Sequence, residues 1–267
     1  MSDIIKKEYD VKEFSKLSIG GPGKVILTQG PCALTIEAPE DMLESLVVTQ
    51  EGDSLRIHPE TMGFFRWIFN NGFRFDGANV IYTVSIAEPE KLGFGGSLHV
   101  DAGPITTHTL KINNSGSVKS EFDALVVDDT LSISNSGSVK SAYEAIKSKE
   151  LKISASGAAT INISDLSAEN LHAGASGSMK LTVEGGSVQH QEYRISGSGR
   201  VDTVELQSND AKISISGSGK ATVWAEESIK VSVSGSGSIF YKGNADVDQH
   251  VSGSGKVKKI HPEMEPA

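Results

Sequence analysis

The chain is poor in the residues that usually carry chemistry. One cysteine, Cys32, stands in 267 residues, which excludes an intrachain disulfide framework and any cysteine-based zinc site. Aromatic residues make up only 6%. No run approaches the roughly 18 consecutive apolar residues of a membrane-spanning helix. Basic residues are outnumbered, 25 against 34 acidic, for a net charge of −9, so nucleic acid is not an expected partner. The opening MSDIIKKEYDVKEF mixes charges from its third residue and lacks the apolar core of a secretory leader, a lean toward the cytoplasm.

Catalytic patterns are missing too. His58, His99, His108, His172, His190, His250 and His261 form no H-x-H or H-E-x-x-H pair, and no G-x-S-x-G elbow is present. Neither a metal nor a cofactor is expected, and the chain does not read as an enzyme.

Glycine is abundant, at 28 residues, and much of it lies in a repeat. Ser-Gly pairs place Gly116, Gly137, Gly157, Gly177, Gly197, Gly217, Gly235 and Gly253 at spacings of 21, 20, 20, 20, 20, 18 and 18. Apolar residues alternate with polar ones on both sides of each pair, as in Leu151, Ile153, Ala155 before Gly157 and Ala159, Ile161, Ile163 after it. Period two marks strands with one buried face. A hairpin meander does not need the same residue type at the same offset in eight successive units, whereas stacked coils do. The expected fold is therefore all-β: a parallel β-solenoid of about eight Ser-Gly coils of 18–21 residues, preceded by a related N-terminal β region. At ~4.8 Å per coil, these eight give a rod roughly 38 Å long.

Three readings of the Ser-Gly run compete. A flexible linker would not sit between in-phase apolar alternations. A phosphate loop is suggested by SGSGKAT at 216–222, but the G-x4-G-K-[ST] spacing is absent and a strand follows instead of a helix. A structural corner fits, because glycine accepts positive φ and lets neighbouring coils approach closely. The residue before each serine faces inward, so Asn114 and Asn135 are expected to stack as an internal amide ladder; an unpaired buried amide would cost roughly 1 to 3 kcal/mol.

Two outward columns follow from the same register. Four residues after each corner serine stand Lys119, Lys140, Thr160, Lys180, Arg200, Lys220, Ser238 and Lys256. This column reads either as a solvated face that keeps the rod soluble or as a cationic stripe for an acidic polymer such as an acidic cell-surface glycan. Asp129, Glu150, Asn170, His190 and Asp210 share an offset of fourteen. They read as a solvated corner, or as carboxylates for cation binding in a lyase-type carbohydrate-active protein.

Residues 1–104 form the N-terminal β region, 105–259 the regular coils and 260–267 a polar tail, within one continuous domain. The opening F-x2-L-x-I followed by GKVILTQG, the segment LTIEAPEDMLESLVVTQEGDSLRI, the strand VIYTVSIAEPEKLGFGGS at 80–97 and the Ser-Gly coils together resemble the head GIN domain family. That family is described as the heads of autotransporter adhesins. The resemblance implies a β-solenoid with an adhesive role and no assigned chemistry, and a place in the cell envelope or outside the cell for a chain whose leader has been removed.

One insertion departs from this pattern. TMGFFRWIFNNGFRFDG, residues 61–77, contains Phe64, Phe65, Trp67, Phe69, Phe73 and Phe75. It reads as a cover over an open strand edge, as a self-association surface that makes the protein a homo-oligomer, or, less favoured, as a membrane contact. The leading functional expectation is a non-catalytic structural or adhesion protein that self-associates. A polymerising scaffold is a further alternative, since uncapped solenoid ends can stack.

Overall fold

A computed structural model describes residues 4–60 and 80–260. The chain winds as a parallel β-solenoid, in which each coil hydrogen-bonds to the coils before and after it. Residues 158–163, for example, pair in parallel with 138–143 on one side and 178–183 on the other. Burial shows why the sequence closes into coils. Within one coil, Val139, Ser141 and Tyr143 face inward, then Ile146 and Ser148, then Leu151, Ile153 and Ala155. The period of two is interrupted at three places per coil, and each interruption is a corner.

The coil is therefore three-sided: a first face at 138–143, a short second face at 145–148 and a third face at 150–155, each continued by its partners one coil on. The sequence pattern reveals the first and third faces around the Ser-Gly corner. The second face, with only two inward residues, is too short to register as a strand on its own.

The glycine corner carries the stack. Gly116 has φ of 85°, and a Cβ there would lie 2.6 Å from the Gly96 carbonyl oxygen and 3.0 Å from the Gly96 nitrogen. No other residue fits that spacing or that backbone. The glycine column also runs further than the Ser-Gly pairs, because Gly21 stacks on Gly96 and Gly96 on Gly116.

Toward the N-terminus the parallel stack gives way to antiparallel additions. The elements are β1 (Ile4–Tyr9), β2 (Lys16–Gln29), β3 (Ala33–Pro39), α1 (Glu40–Ser45), β4 (Leu46–Glu51), β5 (Ser54–Pro59), β6 (Ile81–Ile86) and β7 (Lys91–Ala102). β5 and β6 stack in parallel on the two halves of β2, in the manner of one more coil. Onto them are added β4 against β5, β3 against β6, and β1 against β3, all antiparallel. The polar EDMLES stretch is the single turn and a half of helix α1, which buries Met42 and Leu43 over the interior. β1 ends the sheet with Lys6 and Lys7 in its exposed sequence, and charge on an edge strand discourages pairing with another chain.

Several polar groups in the interior are paired across coils, while the Tyr143 and Ser148 hydroxyls have no partner among the described residues. The Asn114 amide donates to Asn135 Oδ1 at 2.9 Å, the internal ladder anticipated from sequence, and Ser120 donates to Ser141 at 2.9 Å. Both contacts span 21 residues, one coil. Where the coils shorten, the ladder register shifts between Thr203 and Gln207. The buried Gln191 amide then donates to the Trp224 carbonyl at 2.9 Å and to Ser208 at 2.8 Å, while Tyr193 donates to Gln191 Oε1 at 2.8 Å. These bonds take up the backbone and side-chain groups that a shorter coil would leave unpaired.

Candidate functional site

The basic column lies in register along the middle of the first face. Lys140 pairs with Thr160, Thr160 with Lys180, Lys180 with Arg200, Arg200 with Lys220, Lys220 with Ser238 and Ser238 with Lys256. At the other end the column is longer than the Ser-Gly spacing reveals: Lys119 pairs with His99, and His99 with Lys24. Lys24 and His99 escape a search keyed to corner serines because their coils carry Gly-Gly corners, at Gly20–Gly21 and Gly95–Gly96. A strand-phase alignment on Leu17, Leu92 and Ile112 finds them. Lys24, His99, Lys119 and Lys140 line a depression of about 610 Å³.

Two residues further along, on the same coil or the next, acids accompany some of these cations. Lys24 Nζ lies 2.6 Å from Asp101, Lys119 Nζ 2.6 Å from Glu121, and Arg200 3.9 Å from Asp202. Lys140, Lys180 and Lys256 have no carboxylate within 4.0 Å among the described residues. Lys220 Nζ instead lies 4.9 Å above the Phe240 ring, where its charge is retained.

The acidic column lies elsewhere. Glu150, Asn170, His190 and Asp210 stack in register at the start of the third face, with Asp129 one coil before Glu150. Glu150 is 3.2 Å from Lys152, and His190 is 3.0 Å from Asp210. The basic and acidic columns therefore occupy different faces and do not converge on one groove, the geometry that lyase-type chemistry would need. The adjoining third-face column contains Glu192, whose carboxylate lies 2.8 Å from Arg194, 2.9 Å from Lys212 and 3.2 Å from His172. Burial alone would raise the pKa of Glu192, but the Lys212 and Arg194 charges and the bond to His172 outweigh it and hold the carboxyl below its usual range.

Among the described residues, one group of three side chains has metal-ligand spacing: His99, Asp101 and Glu121. Its carboxylates already hold Lys24 and Lys119, and His99 Nε2 is 2.9 Å from Asp101, so the group is accounted for as an ion-pair cluster. Phe64, Phe65, Trp67, Phe69, Phe73 and Phe75 lie outside the described residues. The described residues stop at Glu60 and resume at Val80. Those two points flank the place where the neighbouring coils carry their glycine corner. No helix among the described residues is long and apolar enough to cross a membrane.

The described residues thus define a three-sided parallel β-solenoid, covered at its N-terminal end by antiparallel strands and α1, with an in-register basic column on its first face. The chain belongs to the family described as "Putative auto-transporter adhesin, head GIN domain", whose sequence profile matches residues 13–142 and again 125–245. Matching twice is natural for a chain built from one repeated coil. Three solved structures share the fold. A "putative adhesin" from Parabacteroides distasonis is 18% identical with a TM-score of 0.70, covering 97% of this chain and 98% of its own. A "Putative lipid binding protein" from the same organism is 20% identical with a TM-score of 0.68, covering 97% of each chain. A "putative adhesin" from Parabacteroides merdae is 16% identical with a TM-score of 0.67, covering 97% of this chain and 96% of its own. At these identities the likeness is one of fold. No curated protein matches the chain.

Proposed function

We propose that the protein is a non-catalytic adhesion rod of the cell envelope or cell exterior, whose first face binds an acidic polymer, an acidic cell-surface glycan. The observation that carries this reading is the in-register ladder from Lys119 to Lys256 with several cations left without acidic partners. Like charges one coil apart repel. A face meant only for solubility has no need to align them, and in this chain of net charge −9 acids were available to pair every one. An extended polyanion laid along the rod would contact many coils at once, and its affinity would fall steeply with salt. The lipid binding named for the second structure is that protein's own; here the linear spacing of the cations favours a linear polymer.

The test is binding of the full chain to acidic polysaccharides at low and physiological salt, alongside the triple variant Lys140→Gln, Lys180→Gln, Lys220→Gln. About a tenfold or greater loss of affinity is expected in the variant, with a shallower salt dependence. The reading is overturned by unchanged binding in the variant, by absence of binding to any acidic polysaccharide at low salt, or by release of cleaved product from the polymer.

A further inference from the structure

From the coil of Lys119 onward, the outward residues of the first face alternate in net charge from coil to coil; the two coils before it, one with Lys24 and one with His99 and Asp101, carry one positive and one negative charge and lie outside the alternation. Three positions per coil stand on the outward side of the strand there, Thr222 alone among them being buried, and the middle one belongs to the basic column. Ser117, Lys119 and Glu121 sum to zero; Ser138, Lys140 and Ala142 to one positive charge. Ala158, Thr160 and Asn162 are neutral; Ser178, Lys180 and Thr182 carry one. Ser198, Arg200 and Asp202 cancel; Ser218, Lys220 and Thr222 carry one. Ser236, Ser238 and Phe240 are neutral, and Ser254, Lys256 and Lys258 carry two. The parallel pairings place these triplets directly above one another. Spare positive charge therefore recurs at every second coil, a period of ~9.6 Å.

We propose that the first face is matched to an alternating acidic copolymer, a glycan with a disaccharide repeat that carries its anionic group on every second sugar. This rests on the reading of that face as a polymer-binding surface and specifies the class of polymer. A pyranose unit in an extended glycan advances about as far as one coil rises, so a disaccharide spans about two coils. Anions at that period meet Lys140, Lys180, Lys220 and Lys256 in turn, while the uncharged sugars lie over the intervening coils. There, Thr160, Asn162 and Ser238 offer hydroxyl and amide groups. A homopolymer with an anion on every sugar would instead place half its charges over the intervening coils, and on two of these four coils they would meet Glu121 and Asp202, where carboxylates face carboxylates. Complementary period and like-charge rejection together supply specificity. The Lys119–Glu121 and Arg200–Asp202 pairs thus act as neutral spacers in the ladder.

The probes are hyaluronate, which alternates a uronate with a neutral amino sugar, and polygalacturonate, a uronate homopolymer. They are compared at equal chain length and equal carboxylate concentration, with vesicles containing phosphatidylglycerol as a third probe. The expected result is tighter binding of hyaluronate by about fivefold or more at low salt. A second protein, Thr160→Lys with Asp202→Asn, places a spare cation on every coil from Lys140 to Lys220. It should lose or reverse the preference while keeping the wild-type unfolding midpoint. Equal affinity of the wild type for both glycans overturns the period match and leaves the binding face intact. An undiminished preference in the second protein overturns it as well. Binding of neither glycan overturns the proposed function itself, as does binding of the vesicles alone.

Discussion

On the third face, Glu192 is held within 3.2 Å of three basic groups, from His172, Arg194 and Lys212. On the first face, Lys140 and Lys180 have no carboxylate within 4.0 Å among the described residues. Both faces are built on the same backbone ladder, with the same rise and the same inward alternation, so the contrast is one of side chains alone. The coil specifies where an outward residue stands and leaves its identity free. On the third face, charges from successive coils neutralise one another and hold adjacent coils together. Charge on the first face is left over, and leftover charge at fixed spacing is what a polyanion can use.

The corner between these two faces gives the most severe way to break them both. Gly116→Ala would force a Cβ to 2.6 Å from the Gly96 carbonyl oxygen at a φ of 85°, with stacked coils on both sides preventing relief. The expected loss is ~3 kcal/mol or more in urea unfolding. A loss under ~1 kcal/mol would show that the corner can relax and that the faces are not rigidly spaced.

A milder change converts one face toward the other. Glu192→Gln leaves His172, Arg194 and Lys212 without their shared carboxylate. The expected destabilisation is on the order of 1 kcal/mol, because the bases are half exposed and solvent screens them. Binding of acidic polysaccharide should at the same time become tighter, since the third face now carries spare cations. The pH dependence has a definite sign. The Glu192 carboxyl is lowered in the folded state, so its contribution is complete above the unfolded value of about 4.3 and is lost as pH falls through the folded value. The stability gap between wild type and variant should thus be full at neutral pH, begin to shrink below about pH 4.3 and close only as pH passes through the lowered folded value. A gap unchanged by acid titration through that whole range would mean that the ion pairs contribute nothing.

Much of this contrast was legible in the sequence. Ser-Gly pairs at near-constant spacing set the coil period, and the period alone places Lys140, Lys180 and Lys220 in one column and Asn114 over Asn135. What escaped had physical reasons. The second face shows no strand pattern because two inward residues, such as Ile146 and Ser148, are too few to establish a period. Helix α1 is a terminal cover whose six residues take their shape from the interior they seal. Lys24 and His99 were missed because their coils lack the corner serine. The spacer role of Glu121 and Asp202 depends on ion pairs within a strand, which become meaningful only once the faces are assigned.

The smallest expected effect separates ligand binding from folding. Removing three spare cations, Lys140→Gln, Lys180→Gln and Lys220→Gln, should leave stability at physiological salt within ~0.5 kcal/mol of wild type. These lysines stand two coils apart, and ~9.6 Å exceeds the Debye length of about 8 Å at that ionic strength, so their mutual repulsion is already screened. At about 0.01 M salt the Debye length grows to about 30 Å, repulsion along the column extends over several coils, and the variant should become slightly more stable than wild type. Thermal unfolding at the two salt concentrations measures both points. A loss above ~1 kcal/mol at physiological salt would assign the spare lysines to the fold, and the difference between the two faces would then be one of stability and not of recognition.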